Sequence, residues 1–563
     1  MNLFHRRKSI IHREIDPDEI FLDSENMPGF DVYQFEGRIE KPISVASIII
    51  LSVSCLLLVL VLLGKAWALQ VKDGKKYSAM SENNAINETI IFPERGAIYD
   101  RNGIKLAWNK IASDGNAFST RLYAERDGLA HVLGYLKYPS KDKRGFYYRE
   151  DFEGMAGIEK AYDEKLRGGR GLKIVERDAL GNVKSESIIR KSVDGENITL
   201  SLDYPVSAKF FGYIKELAER IGFVGGAGAI LDARTGEIIA LTSFPEYDSQ
   251  TMSDGIDVGA IEKFLADNKK PFLNRIISGL YTPGSIIKPY IAVAALEEKI
   301  ISPEKEITST GSISIPNPYD PEKKSVFMDW KAHGPVDMKK ALAVSSNVYF
   351  YEIGGGFEGQ AGLGIEKLKR YFSLFGFGKN SAEGFFLGPA GAIPSPAWKE
   401  KTFPGDPWRI GDTYFTSIGQ YGFQVTPLQI LRAVGTVANG GLLLYPSILK
   451  ISGENGVMAE KIPVDPAYLK VVRDGMREGV LTGTASGLNV PFVEVGAKTG
   501  TAELGIAKAY VNSWVTGFFP YENPKYAFVV VMEHGPRANV YGAVFVMREL
   551  LDWMRLYAPE YLK

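Results

Sequence analysis

The chain has 563 residues, of which 45% are hydrophobic and 24% charged, and its formal net charge is −1. This length and composition predict two or three globular domains. The even charge balance gives no basis for a polyanion-binding surface, so nucleic acid is not an expected partner. The single cysteine, Cys55, excludes intrachain disulfides and cysteine-rich metal sites, and the five histidines include no HExxH motif. We therefore expect no metal site.

The longest apolar segment is residues 43–63, "ISVASIIILSVSCLLLVLVLL", with 21 residues and no charge. About 20 apolar residues span the hydrocarbon core of a bilayer. A signal peptide is the alternative, but 42 residues precede the segment and its apolar run is long for a signal sequence. We therefore predict a retained transmembrane helix at 43–63 after a polar tail at 1–42. Basic residues flank both ends of the helix, so the local charge does not predict its orientation.

The rest of the chain divides into two parts by pattern. Residues 64–196 mix short strand-like stretches with turns, which predicts an α+β module without catalytic motifs. From residue 197 to 563 the pattern is denser, and "GAGAILDARTGEIIALTSF" predicts a β-hairpin. Helical patterns follow at 286–299, 337–352, 363–375 and 426–438, and strand patterns lie in "AYVNSWVTGFFP" and "KYAFVVVME". Strands at both ends with helices between them predict an α+β fold, an antiparallel sheet flanked by helices.

Ser285 and Lys288 stand one helical turn apart in "YTPGSIIKPY". The apolar run after them predicts a helix, and Pro289 in its first turn places the helix start close to Ser285. Backbone N–H groups and the positive end of the helix dipole would stabilise negative charge that develops there. A lysine buried in a cleft can lose its proton near neutral pH and accept the serine proton. By itself this motif leaves a second interpretation open, an N-cap serine beside a solvated lysine.

Two later motifs are also ambiguous when each is taken singly. Residues 345–347, Ser-Ser-Asn, precede apolar helical residues, and this is also the pattern of a helix cap. Residues 498–501 are Lys-Thr-Gly-Thr ahead of strand-like sequence. Their lysine and threonines could bind a substrate carboxylate, and Gly500 could let a substrate backbone approach closely. A phosphate loop does not fit, because Ala497 stands where that motif requires glycine.

The motifs S-x-x-K, S-x-N and K-T-G occur here in the order that marks penicillin-binding proteins and class A β-lactamases. Each motif is weak alone, but three in order, each in its expected local context, favour one shared cleft. A Ser-His-Asp hydrolase is not favoured, because Ser285 lies outside any G-x-S-x-G motif. His333 and His534 also lack a recognisable triad context.

From about residue 60 to 560 the chain resembles a class B penicillin-binding protein, a cell-wall transpeptidase. The resemblance rests on "FPERGAIYDRNGIKLA" (92–107), "GIEKAYDEKLRGGRG" (157–171) and "NRIISGLYTPGSIIKPYIAVAAL". "KPYIAVAAL" and "DWKAHGPVDMKKAL" are similar to the elongation-specific type, penicillin-binding protein 2. "IGQYG" departs from the usual I-G-Q-G-x order. The resemblance implies a pedestal (dimerisation) domain at 64–196 and a transpeptidase domain with the penicillin-binding, β-lactamase-like fold at 197–563.

The resemblance also implies catalytic roles for residues at the matching positions. Ser285 would attack the carbonyl between the terminal D-alanines of a peptidoglycan stem peptide, and Lys288 would take its proton. The backbone N–H groups of Ser285 and Thr501 would form the oxyanion hole. Ser345 would relay a proton to the leaving amine, and Lys498 would tune that serine electrostatically. This reaction would need neither a metal nor an organic cofactor.

Binding partners and location follow from the same resemblance. Asn347 would hold the stem-peptide backbone, while Lys498, Thr499 and Thr501 would bind the terminal carboxylate. β-Lactams are expected to acylate Ser285, because their strained amide mimics the D-Ala–D-Ala bond. The resemblance implies a single-pass protein of the bacterial inner membrane, with its N-terminus in the cytoplasm and its catalytic domain outside. The implied membrane partner is a SEDS-family glycosyltransferase of the RodA type.

Four other functions share part of this pattern. A division-specific class B transpeptidase would carry the same three motifs. A D,D-carboxypeptidase or β-lactamase would pass the acyl group to water, although a free lactamase has no use for an anchor and pedestal. A membrane β-lactam sensor would need more spanning segments and a cytoplasmic effector domain. A scaffold that activates a SEDS glycosyltransferase would not need an intact motif triad.

Overall fold

The computed structural model describes residues 44–563, except for 79–85, 112–116, 126, 178–182, 318–319, 381–383, 452–455, 506–507 and 539–540. The predicted tail at 1–42 lies outside the described residues. The chain divides into two compact units. The first unit comprises residues 1–87 and 175–186, and the second comprises residues 88–174 and 187–563.

One long apolar helix, Val45–Trp67, corresponds to the predicted membrane segment, and a π-helical turn, Ala68–Lys72, continues it. The Ser44 hydroxyl caps the helix by accepting the N–H of Ser47 at 3.1 Å. Its apolar side chains are exposed all round, an arrangement that is favourable in lipid. Among the described residues it is the one helix long and apolar enough to cross a membrane. It fits a single-pass membrane anchor, and it ends later than the predicted span of 43–63.

The predicted pedestal consists of short strands and helices. Its four-stranded sheet has the order Ile198–Thr199, Ile98–Tyr99, Lys105–Lys110, Thr120–Tyr123, so one edge strand lies beyond the predicted boundary at 196. Ile98 and Leu106 are fully buried, as expected for core residues. The other strands are Ile86–Ile91, Leu136–Lys137, Ser140–Lys141, Tyr147–Arg149, Glu153–Gly154, Gly171–Arg177 and Val183–Arg190, and the helices are Ala130–Leu133, Gly157–Ala161 and Asp163–Arg167.

A buried charge network joins two of the sequence motifs in this region. Glu159 is fully buried and accepts hydrogen bonds from Arg95 Nε at 2.6 Å and Arg121 Nε at 2.8 Å. Arg95 also donates to Asp163 at 2.8 Å. Burial acts to raise the pKa of Glu159, but the two guanidinium groups outweigh it and hold the pKa below its ordinary value. Both motifs therefore have a structural function.

Five antiparallel strands form the central sheet. In chain order they are β1 (Gly225–Asp232), β2 (Ile238–Phe244), β3 (Gly496–Leu504), β4 (Tyr510–Phe519) and β5 (Tyr526–Pro536). Their spatial order is β2-β1-β5-β4-β3, with Ala229 of β1 opposite Val529 of β5 and Lys498 of β3 opposite Thr516 of β4. The N-terminal hairpin thus lies beside the C-terminal strands, which confirms the predicted sheet. Strand β3 is an edge strand.

Helices cover both faces of the central sheet. Tyr204–Ile221 and Ala543–Tyr557 pack on one face and Pro427–Ala438 on the other, so every residue of β1 is buried. The other helices from residue 249 onward are Ser249–Asp254, Val258–Ala266, Lys288–Glu297, Met338–Val344, Asn347–Gly355, Gly364–Leu374, Pro396–Thr402, Ile410–Ser417 and Pro466–Leu481. The paired strands outside the central sheet are Ile307–Ser309 with Gly334–Val336, Ser312–Asn317 with Asp320–Met328, and Leu442–Leu444 with Ala459–Lys461.

The helix predicted at 337–352 is two helices, Met338–Val344 and Asn347–Gly355. The first ends because Ser345 has a φ of 58°, in the left-handed region. The second begins at Asn347, and the side chain of Ser346 caps its N-terminus. The apolar periodicity continues through the break, which is why the sequence pattern predicted one helix. The S-x-N motif therefore lies at a junction between two helices.

Candidate active site

Ser285 lies on a single 3-10 turn, Gly284–Ile287, directly before the helix Lys288–Glu297. The predicted helix at 286–299 was therefore slightly too long at both ends. Pro289 occupies the first turn of the helix, as predicted, where its missing N–H costs nothing. The turn leaves Ser285 half-buried at the wall of a cleft.

Gly284 lets this serine turn fit between two neighbouring segments. Its φ is 58°, in the left-handed region that glycine adopts without steric cost. Its N–H donates to the carbonyl of Gly419 at 3.0 Å. A Cβ at this position would lie only 3.0 Å from the carbonyl oxygen of Thr501 on β3. The serine turn is therefore packed directly against the edge strand.

The amine of Lys288 is fully buried one turn from Ser285. Its Nζ donates to the carbonyl oxygen of Ser345 at 2.9 Å and to Asn347 Oδ1 at 2.8 Å. Burial lowers the pKa of Lys288 to about 7, while the charge of Asp329 acts in the opposite direction. A substantial fraction of this amine is therefore neutral at neutral pH and able to accept a proton.

The hydroxyl of Ser345 connects the two buried lysines of the site. Ser345 Oγ accepts a hydrogen bond from Lys498 Nζ at 2.9 Å and lies 3.4 Å from Lys288 Nζ. Lys498 also donates to the carbonyl of Thr499 at 2.8 Å. Burial, and then the charge of Lys288, lower the pKa of Lys498 far below its ordinary value. The three groups form a continuous path along which a proton can move.

A cleft of about 1470 Å³ opens beside these groups. Six of the eight predicted site residues line it, namely Ser285, Ser345, Asn347, Thr499, Gly500 and Thr501. The other two, Lys288 and Lys498, are buried and reach it through Ser345. On the edge strand, Thr499 Oγ1 lies 2.6 Å from Thr484 Oγ1, and Thr501 is exposed. The structure therefore brings the three motifs together from distant parts of the chain.

Gly500 has a structural function in addition to the predicted approach of substrate. A Cβ at Gly500 would lie 2.8 Å from Ile286 Cγ2 and 3.0 Å from the carbonyl oxygen of Pro283. Both contacts belong to the protein's own serine turn. The glycine in K-T-G thus allows β3 and the serine turn to pack closely.

Replacing Gly500 with alanine is expected to lower both stability and acylation by penicillin. Overpacking costs about 1–3 kcal/mol, and here it would also displace the serine turn from β3. Thermal unfolding and the rate of labelling by a fluorescent penicillin measure the two effects. Gly212→Ala is the control, because nothing lies within 4 Å of a Cβ there. Wild-type stability and labelling in Gly500→Ala would contradict the packing described.

Two further residues of the cleft were missed from the sequence. Asp329 lines the cleft and its side chain is buried. Tyr421 also lines the cleft with a φ of 62°, and its ring lies 5.7 Å from that of Trp398 and 5.9 Å from that of Trp408. The departure of "IGQYG" from I-G-Q-G-x was the available signal for Tyr421, because it puts tyrosine where a glycine is usual.

Comparisons with known proteins identify the class. The protein-family model described as "Penicillin binding protein transpeptidase domain" matches residues 226–551, more than half of the chain. The family model described as "Penicillin-binding Protein dimerisation domain" matches residues 116–200.

Individual proteins are also similar to this chain. "Peptidoglycan D,D-transpeptidase MrdA" of Haemophilus influenzae is 30% identical over 469 residues, which are 77% of this chain and 69% of that protein. The Escherichia coli K12 protein of the same name is 28% identical over 626 residues, and the match covers 92% of this chain and 95% of that protein. MrdA of Acinetobacter baumannii is 30% identical to this chain over a match that covers 74% of this chain. The match spans 63% of the Acinetobacter protein, which is less than two thirds of its length.

Solved structures agree with these matches. Penicillin-binding protein 2 of Pseudomonas aeruginosa, in complex with WCK 5153, has a TM-score of 0.69 at 27% identity, with 85% of this chain and 98% of that chain covered. Penicillin-binding protein 2 of Helicobacter pylori, in complex with MreC, has a TM-score of 0.68 at 26% identity. The match covers 84% of this chain and 99% of that chain. A chain from "a peptidoglycan synthase complex" has a TM-score of 0.69 at 25% identity. The match covers 91% of this chain and 98% of that chain.

The chain belongs to the penicillin-binding protein family with a transpeptidase domain. The predicted family, fold class and enzyme class are confirmed, and so is the similarity to the elongation type, penicillin-binding protein 2.

Proposed function

We propose that this protein crosslinks peptidoglycan stem peptides through an acyl-enzyme on Ser285 during cell-wall elongation. The observation that carries the proposal is the buried amine of Lys288, which follows the nucleophile turn and donates hydrogen bonds to both ends of S-x-N. Burial also lowers the pKa of this amine to about 7. A serine hydroxyl is a weak nucleophile at neutral pH, and an adjacent base activates it. The family membership supports the substrate class, and the burial and hydrogen bonds of Lys288 support its role as the base.

In the first half-reaction, Ser285 Oγ attacks the carbonyl between the two terminal D-alanines, and its proton passes to Lys288 Nζ. The N–H groups of Ser285 and Thr501 stabilise the oxyanion, and each such donor lowers the barrier by about 3–4 kcal/mol. The C–N bond then breaks. The leaving D-alanine amine takes a proton through Ser345, whose hydroxyl hydrogen-bonds the amine of Lys498.

In the second half-reaction, the amine of a neighbouring stem peptide attacks the acyl-enzyme. A peptide bond forms and the Ser285 ester breaks. The proton that the acceptor amine loses passes through Lys288 Nζ to Ser285 Oγ. This order of events is ping-pong, with one covalent intermediate shared by donor and acceptor. Asn347 holds the donor backbone, and Lys498, Thr499 and Thr501 bind its terminal carboxylate. Neither step requires a metal or a redox cofactor to balance.

We propose the same domain division and orientation that the resemblance implies. The apolar helix anchors the protein with its tail, 1–42, in the cytoplasm, the pedestal spans 64–196, and the transpeptidase domain, 197–563, acts outside the membrane. The proposed partner is a SEDS-family glycosyltransferase of the RodA type. A similar chain within "a peptidoglycan synthase complex" and a relative in complex with MreC support membership of such an assembly.

The proposed activity can be tested with the full-length protein in detergent, reconstituted with a RodA-type glycosyltransferase. Labelled glycan strands whose stems end in D-Ala–D-Ala serve as substrate, and mass spectrometry counts crosslinked dimers and released D-alanine. We expect one D-alanine per crosslink, and loss of both after treatment with penicillin. Release of D-alanine without crosslinks would identify a carboxypeptidase, and rapid hydrolysis of penicillin would identify a β-lactamase. Either result would overturn the proposal.

A further inference from the structure

A buried aspartate outside the three motifs holds the S-x-N junction. Asp329 Oδ2 accepts hydrogen bonds from Ser346 Oγ at 2.7 Å, from the N–H of Val348 at 3.0 Å and from Ser309 Oγ at 3.1 Å. Its Oδ1 accepts the N–H of Trp330 at 2.8 Å. Burial opposes ionisation of this carboxyl, but the hydrogen bonds from the junction and the charge of Lys288 outweigh it and hold the pKa of Asp329 below its ordinary value. The group is therefore a buried carboxylate with a full set of donors.

These hydrogen bonds hold the chain directly after Ser345, the residue whose backbone is strained. Ser345 has a φ of 58°, a conformation that residues with side chains keep only when their surroundings enforce it. The next residue, Ser346, and Val348 both donate to Asp329. Asp329 is itself fixed, since its N–H donates to the carbonyl of Gly311 at 2.8 Å. The carboxylate thus holds the chain immediately after Ser345 and leaves that residue little freedom.

The 345–347 junction also supplies two acceptors for hydrogen bonds from the buried amine of Lys288. Lys288 Nζ donates to the carbonyl of Ser345 and to Asn347 Oδ1, at 2.9 and 2.8 Å. Three charged or titratable groups face Lys288: the charge of Asp329 raises the pKa of the lysine, while the lysine itself lowers the pKa values of Lys498 and His333. Asp329 supplies the negative charge among them, and its Oδ1 lies 3.6 Å from His333 Nε2. Its loss would therefore remove both an anchor for the junction and the counter-charge of the lysine.

We propose that Asp329 is a positioning residue of the transpeptidation site. Its carboxylate holds the 345–347 junction in the conformation that aims Ser345 and Asn347 at Lys288, and its charge balances that lysine. This inference rests on the proposed function, because it takes Lys288 as the base that activates Ser285. It adds a residue outside S-x-x-K, S-x-N and K-T-G to the machinery of the reaction.

The test is the pH profile of the acylation rate, measured on the full-length protein with a fluorescent penicillin. In the wild type, the rate should rise with pH as Lys288 loses its proton, and then reach a plateau. Asp329→Asn removes the charge and keeps one oxygen acceptor. We expect its plateau to fall at least tenfold, and the midpoint of its acid limb to move to lower pH by about one unit. The midpoint moves down because the lysine loses a neighbour that favours its charged form.

Two other variants separate the charge from the hydrogen bonds. Ser346→Ala deletes the 2.7 Å hydrogen bond to Asp329 and the cap on the N–H of Tyr349 but keeps the carboxylate, so its plateau should fall while its midpoint stays in place. Asp267→Asn, at an exposed site, is the matched control and should change neither quantity. Thermal unfolding of each variant reports whether it is folded. If Asp329→Asn does not fold, the acylation plateau of Ser346→Ala decides the proposal. A lowered plateau supports it, and a wild-type plateau overturns it.

The outcomes distinguish this inference from the function on which it rests. A wild type that penicillin does not acylate would defeat the proposed function itself. A wild type that is acylated, beside a folded Asp329→Asn with the same plateau and the same midpoint, would overturn only the role of Asp329. A lower plateau without any movement of the midpoint would overturn the charge-balancing part, because loss of the negative charge beside Lys288 must move the midpoint.

Discussion

Replacing Lys288 with alanine is expected to slow acylation of Ser285 by penicillin about a thousandfold. A positioned general base contributes roughly 10²–10⁴ to a rate, and here the same side chain also organises the neighbouring motif. Its loss leaves the carbonyl of Ser345 and Asn347 Oδ1 without their buried donor. The measurement is the second-order rate constant of labelling, with thermal unfolding to show that the variant is folded.

Lys263→Ala is the matched control, because Lys263 is an exposed lysine on the helix Val258–Ala266. Its labelling rate should equal that of the wild type. The wild-type rate should also fall as the pH is lowered through about 7, where Lys288 becomes protonated and can no longer accept the serine proton. Labelling of a folded Lys288→Ala at the wild-type rate would show that another group is the base.

The second large effect is expected for Lys498, whose amine is buried beside the cleft. Lys498→Ala should slow reaction of a stem peptide that ends in D-Ala–D-Ala about a hundredfold. Removing one partner of a buried charge-assisted hydrogen bond costs about 2–5 kcal/mol. The pKa of Lys498 is lowered by burial and by the charge of Lys288. A substrate carboxylate beside it would restore the ammonium form.

A donor peptide that ends in D-alaninamide tests this role, because it lacks the carboxylate. Wild-type protein should prefer the acid to the amide, and Lys498→Ala should lose that preference. Lys508→Ala is the control, because Lys508 lines the same cleft but is exposed and paired with Glu503 at 2.7 Å. An unchanged preference for the acid in Lys498→Ala would assign carboxylate binding to other groups.

Much of this site could be predicted from local sequence patterns. Ser285 and Lys288 are three residues apart on a predicted helix start, and Pro289 constrained that start, so their geometry is local. The five-stranded sheet also followed from strand patterns at the two ends of the catalytic region. In these cases neighbouring residues carry the information.

What could not be predicted depends on contacts between distant segments. The helix break at Ser345 is enforced by Asp329, which lies outside the periodic pattern of the helices. The close packing of Gly500 on the serine turn joins residues more than 200 positions apart. The lowered pKa of Lys288 depends on full burial, which no spacing specifies. Only the folded chain shows these contacts.

The assignment of Ser285 as the nucleophile is tested by locating the residue that penicillin acylates. Purified full-length protein is treated with penicillin, and intact mass and peptide mapping locate the adduct. We expect one adduct per chain, on the peptide that contains Ser285, and none on Ser285→Ala. Ser278→Ala, which alters an exposed serine in the same segment, should be labelled like the wild type. An adduct of equal yield on a folded Ser285→Ala would contradict the account.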